Sequence, residues 1–95
     1  MMNIKITPSN QGVLKTLIQV ESVVKSLGDR GVTVLGVSTG NDKPRIKIAR
    51  HAYCDQLIRS GKACYLQFGN SRHGYYKQGS FTQDGCRVFW SESIY

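Results

Sequence analysis

The sequence predicts a single α+β domain over residues 1–95, an antiparallel sheet carrying two helices. Three observations point there. Gln11 to Leu27 repeats apolar residues at helical spacing, and Ala52 to Ser60 does so more weakly. Short β-branched or alternating segments surround them. The last third carries turn residues at intervals that divide it into a three-strand meander. The expected order is β-α-β-β-α-β-β-β.

Asn3 to Thr7 alternates Ile4 and Ile6 with Lys5 and reads as a short strand. Pro8 breaks it, and Ser9 or Asn10 can cap the helix that follows. In that helix Val13, Leu17, Val20, Val24 and Leu27 form one stripe, with Lys15, Gln19, Ser22 and Ser26 on the other side. Gly28 is the expected stop, followed by the turn Asp29-Arg30-Gly31. Val32 to Thr39 is β-branched, with Gly36 a bulge candidate, and Arg45 to Ile48 alternates. Together they predict a hairpin with Ile46 and Ile48 inward and Arg45 and Lys47 outward. In the second helix Cys54, Leu57 and Ile58 share a face and Gly61 ends it; no favoured N-cap residue precedes it.

The meander comprises Ala63 to Phe68, Tyr75 to Thr82 and Cys86 to Ser91. Asp84-Gly85 is a two-residue hairpin turn, because both residues tolerate positive φ. That turn sets Gln83 opposite Cys86, Phe81 opposite Val88 and Gly79 opposite Trp90. If Gly69 to Gly74 is a loop closing Phe68 on Tyr75, one face collects Cys64, Leu66, Phe68, Phe81, Cys86, Val88 and Trp90 as core. Lys77 falls on that face and fits only by snorkelling. The other face collects Tyr65, Gln67, Tyr76, Gln78, Ser80, Thr82, Arg87 and Phe89. A slip of one residue would exchange the two sets.

Thirteen basic residues oppose six acidic ones, a formal net charge of +7, which excludes an acidic nucleic-acid mimic. The excess is not spread along the chain. Residues 43–77 hold Lys43, Arg45, Lys47, Arg50, Arg59, Lys62, Arg72 and Lys77 against Asp55 alone, while the flanks nearly cancel. Arg45, Lys47, Arg72 and Lys77 are therefore the expected contacts to phosphate or to an acidic surface, with His73 beside Arg72. Tyr65, Tyr76, Phe89 and Arg87 are the expected stacking or anchoring residues.

Other chemistry finds less support. His51-x-x-Cys54, with Cys64, His73 and Cys86, offers zinc-ligand types but no zinc-site spacing, so no metal and no cofactor is expected. No P-loop, dinucleotide fingerprint, nucleophile elbow or carboxylate pair is present, and the cysteines fall on core positions, so no catalysis is expected. Three cysteines read as free thiols of a reducing compartment. The first residues lack the apolar region of a signal peptide, and no apolar run would span a membrane. A cytoplasmic location follows as an expectation. The Asn3 to Thr7 strand could pair with a second copy as a homodimer.

The segments PRIKIA (Pro44 to Ala49), YCDQLIRSGKA (Tyr53 to Ala63) and DGCRVFWSE (Asp84 to Glu92) give about half the chain a particular look. It resembles small uncharacterised accessory proteins of temperate enterobacterial phages and prophages. The resemblance implies a cytoplasmic protein of the infected host cell that binds rather than catalyses. Nucleic acid is the leading partner, and an acidic surface on a host protein, inhibited or modulated by this chain, is the alternative. It carries no site residue across.

Overall fold

Helix α1 (Gln11–Asp29) is the first described element of the computed structural model, which describes residues 11–39, 43–71 and 74–93. The expected strand at Asn3 to Thr7, the caps at Ser9 and Asn10, and residues Arg72 and His73 lie outside the described residues. After α1 come β1 (Val34–Ser38), β2 (Arg45–Ile48), α2 (Ala52–Arg59), β3 (Cys64–Ser71), β4 (Gly74–Gln83) and β5 (Cys86–Ser93). The strands form a five-stranded sheet in the order β1-β2-β5-β4-β3. Every neighbouring pair is antiparallel except β2 and β5, which run parallel. The two-helix α+β class read from the sequence holds, with that one parallel pair as the departure.

Both helices pack on the same side of the sheet. Val20, Val23 and Leu27 of α1 and Cys54 and Leu57 of α2 join Ile46, Ile48, Phe81, Cys86, Val88 and Trp90 in one core cluster. The α1 stripe keeps Val20, Val24 and Leu27 of the expected one and adds Val23. Val23 is buried, whereas Val13 at the start of the helix is exposed. Gln19 and Ser26, expected towards solvent, instead tie α1 to the β4–β5 hairpin. The Gln19 amide donates to the Asp84 carbonyl (2.6 Å), and the Gln83 amide donates to Ser26 Oγ (3.1 Å).

The helix ends follow backbone chemistry. Helix α1 stops at Gly31, φ 80°, and not at Gly28. The Gly31 N–H donates to the Gly28 carbonyl and the Val32 N–H to the Leu27 carbonyl. That pair of bonds closes the last turn only if the residue between takes a left-handed conformation. Gly61, φ 78°, ends α2 the same way, as expected. At its start His51 is the N-cap that sequence reasoning passed over. Its Nδ1 accepts from the Tyr53 N–H at 3.0 Å.

Register divides the meander into a part that was legible and a part that was not. Asp84 (φ 48°) and Gly85 (φ 80°) make the turn, and Gln83↔Cys86, Phe81↔Val88 and Gly79↔Trp90 pair as expected. The β3–β4 hairpin departs from expectation. Phe68 pairs with Lys77 rather than Tyr75, and the strands continue through Gly69↔Tyr76 to Ser71↔Gly74 where a loop was expected. The Tyr76 ring lies against Gly69, where any β-carbon would collide with it, so the glycine belongs to the ladder. A second departure is a bulge: Tyr65 pairs with Gly79 and Gln67 with Gln78, leaving Leu66 as the extra residue. One extra residue reverses the alternation of sides. Tyr65 therefore turns to the helix side, and Cys64 is exposed rather than in the core. Leu66 and Phe68, also expected in the core, are 55% and 68% exposed. Phe68 keeps the expected face but stands at the far end of a body measuring 49 × 28 × 23 Å. A bulge is likewise present in β1 between Val34 and Gly36, as Gly36 signalled.

Candidate nucleic-acid interface

The sheet's other side is open: among the described residues no helix packs on it. Parallel pairing of β2 with β5 sets Arg45 beside Arg87 and Lys47 beside Phe89. These four side chains project from the open side, since Ile46, Ile48, Val88 and Trp90 between them point into the core. On the β1 flank the neighbours of Arg45 and Lys47 are Ser38 and Gly36, too small to cover them. The Arg45 guanidinium stands over the Phe89 ring, 5.2 Å from its centroid. Further along, β4 and β5 add Thr82 beside Arg87, Ser80 beside Phe89, Gln78 beside Ser91 and Tyr76 beside Ser93. A shallow recess of about 340 Å³ lies at that end, lined by Tyr76, Gln78, Ser91, Glu92 and Ser93.

Charge is sorted between the two sides of the sheet. Of the described carboxylates, Glu21 and Asp29 are on α1, Asp55 on α2 and Asp84 in the hairpin turn, while Glu92 alternates to the helix side. Around Arg45, Lys47 and Arg87 the open side therefore presents no carboxylate among the described residues; Glu92 meets that side only at the far end, where it helps line the recess. Arg45 and Arg87 are direct cross-strand neighbours, an arrangement in which like charges repel and an anion between them is favourable.

Two of the expected binding residues are engaged elsewhere. Lys77 Nζ pairs with Glu92 at 3.3 Å and lies 4.1 Å from the centroid of the Tyr65 ring. The Tyr65 hydroxyl donates to Glu92 Oε1 (3.0 Å), and its ring meets Trp90 edge-on. Lys77 therefore fits the helix side by pairing, a partner that alternation alone did not supply, and Tyr65 is displaced from the aromatic set by the bulge. Arg50 also belongs to this cluster. Its guanidinium reaches Glu92 at 3.2 Å and Asp55 at 2.7 Å, linking β5 to α2. The Trp90 indole donates the remaining bond to Glu92 (3.1 Å).

Glu92 is thus the hub, and sequence reasoning missed it. The available signal was its position directly across from Lys77, which the Asp84-Gly85 turn already fixed. Burial pushes the Glu92 pKa up, but hydrogen bonds from Tyr65, Trp90 and Lys77 outweigh it and hold the carboxyl below its ordinary range. Burial, then the bond to Glu92, raises the Tyr65 phenol. For Lys77 desolvation opposes the charge, yet Glu92 and Tyr65 keep the ammonium above its ordinary range.

Cys54, Cys86 and His51 take structural places. Cys54 and Cys86 are buried, and burial raises both thiols. His51 caps α2. Among the described residues no group of three or more His, Cys, Asp or Glu side chains comes together to hold a metal. Among them, too, no helix is long and apolar enough to cross a membrane.

A family model described as an uncharacterised protein matches residues 1–93. The chain belongs to that family. No curated protein and no solved structure matches it. Family membership therefore covers nearly the whole chain, and the functional reading rests on the side chains of the open face.

Proposed function

We propose that this protein is a non-enzymatic nucleic-acid-binding protein that uses the open face of its sheet. The observation that carries the reading is the segregation of charge. Arg45, Lys47 and Arg87 stand together around Phe89, and no described carboxylate is paired with them. Cations placed this way neutralise phosphates and release condensed counterions, while aromatic rings stack on bases. Lys77 pairs with Glu92 on the other side of the sheet, and in this reading Arg87, beside Arg45, takes its place as a phosphate contact; Arg72 lies outside the described residues. The resemblance to phage accessory proteins fits a binder acting in the cytoplasm of an infected cell.

The test is fluorescence anisotropy of labelled DNA and RNA between about 50 and 200 mM salt. Binding that weakens steeply with salt is expected. Absence of binding to either polymer at about 50 mM salt overturns the reading. A protein partner that survives nuclease treatment and is lost in Arg87→Ala would replace nucleic acid with the surface of another protein.

A further inference from the structure

We propose that the open face takes single-stranded nucleic acid by its bases, laid from Phe89 towards Tyr76, with one base seated in the recess beside Gln78, Ser91 and Ser93. The proposal rests on the nucleic-acid reading above and narrows it to a substrate class. Reading a duplex requires an element that projects into a groove, typically a helix or a two-stranded ribbon. Both helices among the described residues pack on the opposite side of the sheet. What remains is a broad strand surface, which suits bases that are already unpaired and splayed out.

The placement of the rings supports this. Phe89 is paired with Ser80, and Tyr76 lies four residues further along the same strand, roughly 13 Å at about 3.3 Å per residue. The Tyr76 ring packs against Gly69, in the space a β-carbon would take, and the side chain is half-exposed. Between the rings Gln78 sits beside Ser91, and these border the recess of about 340 Å³ with Tyr76, Ser93 and Glu92, whose carboxylate is engaged by Tyr65, Trp90 and Lys77. An amide and two hydroxyls offer donors and acceptors together, which is what the edge of a base requires. The cations stand at the other end. A base on Phe89 takes the position that the Arg45 guanidinium now holds, and Arg45, Lys47 and Arg87 then meet its phosphates. The face thus has a phosphate end and a base end. Its site size falls at the short end of the roughly 4–16 nucleotides that one small β-domain covers.

Labelled strands of about 12 nucleotides, as RNA and as DNA, are compared with the same sequences annealed into duplex, all by anisotropy. The single strand is expected to bind more tightly than its duplex by about tenfold or more, with the RNA and DNA arms reporting the preferred sugar. Phe89→Leu and Tyr76→Leu keep apolar cover but remove the ring. Each is expected to lower single-strand affinity by roughly five- to 150-fold with the salt slope unchanged. Gln78→Ala, which leaves both rings in place, is expected to weaken single-strand binding several-fold even if a ring variant fails to fold. Duplex binding as tight as single-strand binding, or folded ring variants that bind like the parent, overturns this inference and leaves the broader reading standing. Failure of every polymer to bind overturns both.

Discussion

Trp90 packs against Gly79, its directly paired neighbour on the adjacent strand, and a β-carbon at residue 79 would collide with the indole. The pair joins the middle of β4 to the middle of β5. Trp90 is fully buried and is the largest side chain of the core. Gly79→Ala must therefore shift the indole or separate the strands. A loss of about 1–3 kcal/mol in folding stability is expected from overpacking. Urea denaturation measures it, and an unchanged midpoint would show that the ring has room to move.

The Glu92 cluster should make stability sensitive to acid. Its folded pKa is depressed, so its contribution is complete above the unfolded carboxylate pKa and disappears as pH falls through the lower folded value. Glu92→Gln leaves Lys77 and Arg50 without their shared carboxylate and should cost roughly 1–3 kcal/mol at pH 7. The half-exposed Arg50 contributes least. Denaturation of both proteins at pH 7 and at about pH 3 should show that the gap between them narrows at the lower pH. A gap that stays constant would remove Glu92 ionisation from the account.

Thiol chemistry distinguishes the three cysteines. Cys64 is exposed, whereas Cys54 and Cys86 are buried with thiols raised by burial. Alkylation of the native protein followed by peptide mass spectrometry should label Cys64 alone, and denaturant should release the other two. Rapid native labelling of Cys54 would contradict its place under α2.

The start of α2 depends on an imidazole. Replacing His51 by Ala removes the acceptor for the Tyr53 N–H and should cost about 0.5–2 kcal/mol, while Asn or Ser should restore most of it. Thermal melts of the three variants separate this cap from a loss of packing, which Asn and Ser would not repair.

The cations of the open face should be countable. Arg45→Ala, Lys47→Ala and Arg87→Ala should each reduce the slope of log affinity against log salt by about 0.7–0.9, one phosphate contact apiece. Lys77→Ala should leave the slope unchanged, because its ammonium faces Glu92 on the other side of the sheet. An equal loss of slope for Lys77→Ala would move the phosphate track to the helix side.

Local rules accounted for much of this architecture. The Asp84-Gly85 turn alone fixed the β4–β5 register, and with it the open-face positions of Tyr76, Phe89 and Arg87. Alternation in Arg45-Ile46-Lys47-Ile48 fixed which side of β2 carries charge. The bulge at Leu66 was not legible, because nothing in a run of three apolar or polar residues marks where a ladder will skip. That skip alone moved Tyr65 to the other side. Gly31 rather than Gly28 ends α1 for a similar reason, since both glycines allow a stop and the docking of α1 on the sheet decides which is used.

The sequence by itself determined the two helices, the Asp84-Gly85 turn, the alternation of β2, β4 and β5, and the concentration of charge in residues 43–77. Those properties depend on the conformational preferences of neighbouring residues, and neighbours are what a sequence displays. Only the tertiary structure decided which charges remain on the surface. It paired Lys77 and Arg50 with Glu92, and it set Arg45 beside Arg87 through a parallel contact between β2 and β5, strands far apart in the chain. Electrostatic interaction depends on distance in space, and the fold divides the cations of that stretch, leaving Arg45 and Lys47 on the open side beside Arg87 and taking Lys77 and Arg50 to Glu92.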